Sequence, residues 1–281
     1  MLFCPFGIRG GVNMTDSVIV GQYVETHSIF HRLDPRTKLV SIMILMLSFL
    51  MLGTGLSYAV ATFFVIGILL LSKVPIQFFW RGLRPLLFIL LFTFMYNAVF
   101  TKGTIILWSW SFIEVTEEGL RTGLRFVWRI VLLILLASVL TLTTKPLDLA
   151  YGLEKLLAPL SKMGVPVEQF SLMIVIAIRF IPTIKEELDR ILLAQKARGY
   201  DLTALSLPKR IFAYVPIIIP LLFTTIQRAE QLSYAIDARA YGNGKGRTSY
   251  RVLQFQQMDY LAGGIALLFA VILLWLKIGK V

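Results

Sequence analysis

The chain has 281 residues, of which 57% are hydrophobic and only 16% charged, and its mean hydropathy is +0.76. A soluble domain of this size carries about a quarter charged residues. Here the deficit falls in runs long enough to cross a bilayer, about 20 apolar residues per helical span, which excludes a soluble domain with a single anchor. The formal net charge of +12 fits the positive-inside bias of membrane proteins and contact with anionic headgroups or acidic partners; nucleic acid is not an expected partner of so apolar a chain.

Residues 1–13 precede a second methionine, Met14, and lack the apolar region and small-residue cleavage site of a signal peptide. Residues 1–20 are expected to be disordered. The one cysteine, Cys4, permits no intrachain disulfide and no cysteine-built metal site. His27 and His31 are four apart with Glu25 and Asp34 nearby. A polar juxtamembrane segment explains them, and no metal site is expected.

Arg32, Arg36 and Lys38 lead into the first apolar run, 39–52, and the uncharged turn Gly53-Thr54-Gly55 leads into the second, 56–72. A basic loop with Lys73, Arg81 and Arg84 precedes the third run, 85–100. An acidic loop, 101–119, precedes the fourth, 126–143. By the positive-inside rule the N-terminus, the 73–84 loop and everything after Lys145 are cytoplasmic. Arg121, Arg125 and Arg129 break this pattern on one face of the fourth span; pairing with Glu117 and Glu118 or snorkelling accounts for them, and an interface with another membrane subunit is the alternative.

Residues 145–258 read as three helices. The first, 146–162, has Thr144 as N-cap and Pro146 in its first turn. Leu149, Leu153, Leu156, Leu157 and Leu160 lie on one face, and Gly164 and Pro166 stop it. The second (167–198) and third (208–240) each begin apolar and turn charged. Their apolar halves, about 15 residues each, are short for a span, so both are expected to embed partway from the cytoplasmic side. Pro182, Pro216 and Pro220 suit helices that bend. Residues 259–276 form the last span. The expected architecture is therefore an all-α polytopic membrane protein. It comprises an N-terminal domain of four spans (21–144), a coupling domain (145–258) of three cytoplasmic-side helices, and a C-terminal transmembrane helix (259–281), about five spans in all.

The second and third helices end alike, in Ala197-Arg198-Gly199 and Ala238-Arg239-Ala240, 41 positions apart, each followed by tyrosine. Arginine is always charged and offers a rigid fork of donors to an acidic group or to exposed carbonyls. Small flanking residues keep the helix tip slim, and Gly199 suits a left-handed helix stop. The loop 242–248 (GNGKGRT) resembles a phosphate-binding loop only superficially, because Gly246 follows Lys245 where Ser or Thr is required. No catalytic constellation is present, so the chain is not expected to be an enzyme.

These triplets, together with Gly21-Gln22-Tyr23, the stretch His31-Arg32-Leu33-Asp34-Pro35-Arg36-Thr37-Lys38 and the basic loop before Pro85, resemble the transmembrane T component of energy-coupling factor (ECF) transporters, the EcfT/CbiQ family. The resemblance runs from about residue 21 to the end. It implies a bacterial or archaeal ABC importer in which two homologous ATPase subunits bind ATP and magnesium, leaving no cofactor on this chain. It implies that Arg198 and Arg239 each dock on one ATPase, and that a substrate-binding membrane S component, carrying a vitamin or metal ion, packs on this subunit, with the leucine face of 146–162 as its expected surface. Ala240 departs from the family's usual glycine, so the second tip is expected to continue through Tyr241 to Gly242. The rival expectation is a conventional permease with its own substrate path, which calls for polar groups along several spans.

Overall fold

The computed structural model describes residues 23–24, 26, 28–101, 106–110, 113–199, 212, 214–241 and 254–279; residues 1–20 and the glycine-rich loop 242–248 lie outside them. In chain order the helices are α1 (Ile29–Arg32), α2 (Pro35–Leu50), α3 (Gly55–Ser72), α4 (Ile76–Leu83) and α5 (Leu87–Phe100). An antiparallel hairpin follows, β1 (Ile106–Trp110) with β2 (Ile113–Thr116). Then come α6 (Glu117–Thr143), α7 (Pro146–Ser161), α8 (Val167–Ala197), α9 (Val215–Ala238) and α10 (Gln257–Ile278). The architecture is that of an all-α polytopic membrane protein carrying one short hairpin where the sequence suggested a loop.

Among the described residues, five helical segments are long and apolar enough to cross a membrane: Gly55–Ser72, Ile76–Phe100, Glu117–Thr143, Val167–Ala197 and Gln257–Ile278. Two of these differ from the sequence expectation. The 73–84 segment is not a loop: α4 occupies most of it, and a 3-10 turn at Arg84–Leu86, around Pro85, joins α4 to α5. Proline fits there because the first turn of a helix needs no donor from it. The apolar run 39–52 falls largely in α2, whose 16 residues reach only about 24 Å. By length and composition the fifth place belongs to α8 instead.

The chain forms two compact units, one of Met1–Val167 with Gln254–Val281 and one of Glu168–Leu253. The first has a continuous core from α2 (Leu45, Phe49), α3 (Ala61, Val65), α6 (Leu132, Leu136, Val139) and α10 (Phe269, Leu273). Phe64 stacks on Phe269 at 3.8 Å between centroids, and Phe49 meets the same ring edge-on. The α5–α6 contact is built on absent side chains. A Cβ on Gly119 would lie 3.0 Å from the Asn97 carbonyl oxygen, and one on Gly123 would lie 3.2 Å from that of Phe94. Two small residues one turn apart let the backbones touch, the usual way helices associate where lipid removes the hydrophobic drive.

Polar side chains knit one end of this unit. Asp34 accepts from the Arg36 amide as the N-cap of α2. The buried carboxylate of Asp259, at the start of α10, accepts the Asp34 amide at 2.7 Å and the Gln256 amide at 2.8 Å. Lys38, also buried, donates to the Thr143 carbonyl and the Thr144 hydroxyl, both at 3.2 Å. Thr144 is thus not the N-cap of α7; that position is Lys145, one residue later. The Val24 amide donates to the Leu142 carbonyl at 3.0 Å. His31 Nε2 donates to the Val24 carbonyl at 2.9 Å, which leaves Nδ1 to accept from Ser28 at 2.7 Å. Both ring nitrogens of His31 are engaged, and the described residues contain no His/Cys/Asp/Glu cluster able to hold a metal ion; His27 lies outside them.

At the opposite end of α6, Arg121 pairs with Glu117 at 2.6 Å. Arg129 turns inward: its guanidinium donates to the Leu52 carbonyl and to the Tyr58 hydroxyl (2.9 Å). Arg129 therefore closes the α2–α3 turn rather than facing another subunit.

Candidate functional site

The two arginine triplets are positioned by the same local geometry. Helix α8 ends at Ala197; the Gly199 amide donates to the Lys196 carbonyl at 3.0 Å, with Gly199 at φ +80°. Helix α9 ends at Ala238. The Ala240 amide donates to the Asp237 carbonyl at 2.8 Å and the Tyr241 amide to the Ile236 carbonyl at 3.2 Å, with Ala240 at φ +52°. This pair of bonds is a Schellman stop, which satisfies carbonyls that the end of a helix leaves free. The second tip does not run on to Gly242. It stops at Ala238 with Arg239 as its cap, as the first stops at Ala197 just before Arg198, because closing the helix outweighs the cost of a left-handed alanine, about 1–2 kcal/mol. All six residues, Ala197, Arg198, Gly199, Ala238, Arg239 and Ala240, are exposed. Neither guanidinium has a hydrogen-bond or ion-pair partner among the described residues.

Two contacts fix how α8 and α9 meet. Glu187 pairs with Arg228 at 3.4 Å. Further along α8, the Gln195 amide donates to the Pro216 carbonyl at 3.3 Å. The order is reversed between the helices, so they run in opposite senses. The tip of α8 lies beside the start of α9. Arg239 follows Pro216 by 23 residues, on the order of 35 Å along the helix. The two arginines therefore stand far apart, at opposite ends of the pair.

The prolines divide accordingly. Pro182 lies inside α8 and Pro220 inside α9, whereas Pro216 sits in the first turn of α9, where no helical bond is lost. Pro220 has no amide hydrogen to offer the carbonyl four residues back. That carbonyl belongs to Pro216, and it is the one Gln195 reaches. Nothing in the composition around Gln195 marked it; the missing donor at Pro220 was the available signal. A further proline, Pro159, lies inside α7.

The leucine face of α7 is only partly covered. Ala150 and Gly152 are buried, and a Cβ on Gly152 would lie 3.0 Å from the Pro35 Cβ, so this small-residue edge packs on the start of α2. Leu149 and Leu156 are half-buried; Leu153, Leu157 and Leu160 are exposed. The structure places α7 in the same compact unit as α2 and α6, although the sequence grouped it with the two long helices.

A family model described as "Cobalt transport protein", CbiQ, matches residues 26–250. The chain belongs to the CbiQ family. The energy-coupling factor transporter transmembrane protein EcfT of Bacillus subtilis is 42% identical over 246 residues, covering 88% of this chain and 93% of its own length. The EcfT proteins of Ruminiclostridium cellulolyticum and Brevibacillus brevis are 39% and 38% identical, over 91% and 93% of this chain and 96% and 99% of their own lengths. CbiQ and EcfT proteins are transporter membrane components, and this chain is a multi-pass membrane protein of that kind.

Proposed function

We propose that the chain is the energy-coupling subunit of an ECF-type importer, passing ATP-driven motion of two homologous ATPase subunits to a substrate-binding S component for uptake of a vitamin or metal ion. The observation that carries this is the pair of matched, unpartnered arginine tips on the order of 35 Å apart. One partner would need one site; two tips with the same stop geometry at opposite ends of an antiparallel pair fit two similar partners. An arginine held one residue past the last helical turn projects its fork beyond the helix, where it can meet a carboxylate or a free carbonyl of a groove.

If both tips meet ATPases on the cytoplasmic side, the α8–α9 pair does not cross the bilayer from end to end, and α8, although long and apolar enough to span, is embedded only in part. That arrangement agrees with a cytoplasmic N-terminus and coupling helices, since the basic residues concentrate there by the positive-inside rule. Closure of two ATPases around ATP would draw the tips together or apart, and a pair linked at Gln195–Pro216 and Glu187–Arg228 would move as a scissor. The exposed leucines of α7 (Leu153, Leu157, Leu160) are the proposed S-component surface. They are apolar and exposed, as a sliding contact requires.

The test is coexpression with the two ATPases. Arg198→Glu and Arg239→Glu should each weaken co-purification of an ATPase. The double variant should abolish uptake, a loss of at least 100-fold, while the chain still inserts in the membrane. An intact complex with full uptake in the double variant would overturn the proposal.

A further inference from the structure

A furrow in the first compact unit joins an apolar slot to a basic mouth. The slot has a volume of about 440 Å³ and is lined by Ile42 and Leu45 of α2, Phe63, Gly67 and Leu71 of α3, and Ile265 of α10, a size ordinary for ligand pockets. Phe63 and Ile265 are well exposed, so the slot opens along its side. Lys38 borders it, but its ammonium is spent on Thr143 and Thr144. At one end lies a second cavity of about 500 Å³, lined by Ser28, Arg32, Lys73 and Gln256. Leu33, Leu71 and Met258 border both. Arg32 and Lys73 are exposed and have no ion-pair partner among the described residues.

We infer that this furrow holds one anionic glycerophospholipid, an acyl chain in the slot and the phosphate between Arg32 and Lys73. Apolar surface alone would not select an occupant in a bilayer, where lipid tails are as apolar as leucine. Selection comes from the mouth: two basic side chains at the rim of an apolar furrow match a headgroup phosphate at the depth where its chains begin, and attraction to anionic lipid scales with each Lys or Arg at the surface. The backbone contributes as well. Lys73 is the left-handed C-cap of α3 at φ +53°, which ends the helix and brings the lysine to the rim. A helix of another protein would meet two positive charges at the mouth; a free phosphate would leave the slot unused.

The experiment is native mass spectrometry of the full chain in mild detergent, titrated with phosphatidylglycerol or phosphatidylcholine of matched acyl chains. One phosphatidylglycerol should be retained at about tenfold lower concentration than phosphatidylcholine, and Arg32→Gln with Lys73→Asn should erase the preference. Asparagine tolerates the left-handed backbone at position 73, and both positions are exposed. A Cβ at Gly67 meets nothing within 4 Å, so Gly67→Leu should fill the slot and lower retention of both lipids; if that variant misfolds, the charge pair still decides. Equal retention of the two lipids, or a preference that survives loss of both charges, overturns the inference. So does displacement of the lipid by millimolar inorganic phosphate, or capture of a protein instead of lipid by a photocrosslinking residue at position 265 in native membrane.

Discussion

In the first compact unit Phe49, Ala61, Leu132 and Leu136 are shut away from solvent, and Asp34, Lys38 and Asp259 are buried and hydrogen-bonded. In Glu168–Leu253 the only buried residues among those described are Ser171 and Ile217. Both regions are helical and apolar, yet one buries and pairs its own groups and the other leaves most of its described side chains uncovered. The difference teaches where a substitution should be felt. In the first unit a changed side chain acts on folding. In the second, away from its two cross-helix contacts, it acts on what docks there.

Asp259 offers the strongest way to break that contrast. Asp259→Ala removes the acceptor of both the Asp34 and the Gln256 amides and leaves the buried Asp34 amide unpaired. Losing two hydrogen bonds to a charged acceptor and orphaning a buried donor costs about 3 kcal/mol, and denaturant unfolding of the chain in detergent should show it. Arg198→Glu with Arg239→Glu, on exposed tips, should shift the same midpoint by less than about 0.5 kcal/mol. Equal destabilisation by the two changes would mean that the second unit also depends on its tips to fold.

Gly123→Leu should have the next largest effect. Its Cβ would meet the Phe94 carbonyl oxygen at 3.2 Å and the Asn97 Cβ at 3.3 Å, and a neighbouring backbone cannot turn away as a flexible side chain can. Overpacking of this kind costs about 1–3 kcal/mol. Leu193 of α8 is 68% exposed, so Leu193→Ala should leave stability unchanged. The same unfolding assay separates them.

These sites also mark what could be seen in advance. The start of α7 was legible in Pro146, although its cap is Lys145 and not Thr144, and α3, α5, α6 and α10 follow from their apolar runs, because local sequence governs helix formation and bilayer length; α2 begins at Pro35, ahead of the apolar run that starts at 39. The arginine tips were visible because the chain repeats them 41 residues apart. The Asp34–Asp259 bond was not, since its partners stand 225 positions apart; Lys38 looked like another positive-inside charge until it proved buried. Helix α4 was obscured by Lys73, Arg81 and Arg84, although Ile76 and Phe79 lie at helical spacing. The antiparallel sense of α8 and α9 rests on tertiary contacts that no helical period records.

The smallest effect probes the one difference between the matched tips. Gly199 takes φ +80° without strain, whereas Ala240 holds φ +52° against its own Cβ. Ala240→Gly should relieve that strain, less the greater unfolded freedom of glycine, a net gain of about 0.5–1 kcal/mol. Gly199→Ala should lose a similar amount. Both changes are local to a helix end, so global unfolding is a poor reporter. Hydrogen exchange of the closing amides is a better one: protection at Ala240 and Tyr241 should rise about three- to fivefold in the first variant, and protection at Gly199 or the substituted residue should fall in the second. Since neither variant touches an arginine, ATPase retention should hardly change. A large loss of retention in Ala240→Gly would mean that the stiffness of the second tip, and not only its charge, is what its partner recognises, and the two tips would then be matched in shape but not in demand.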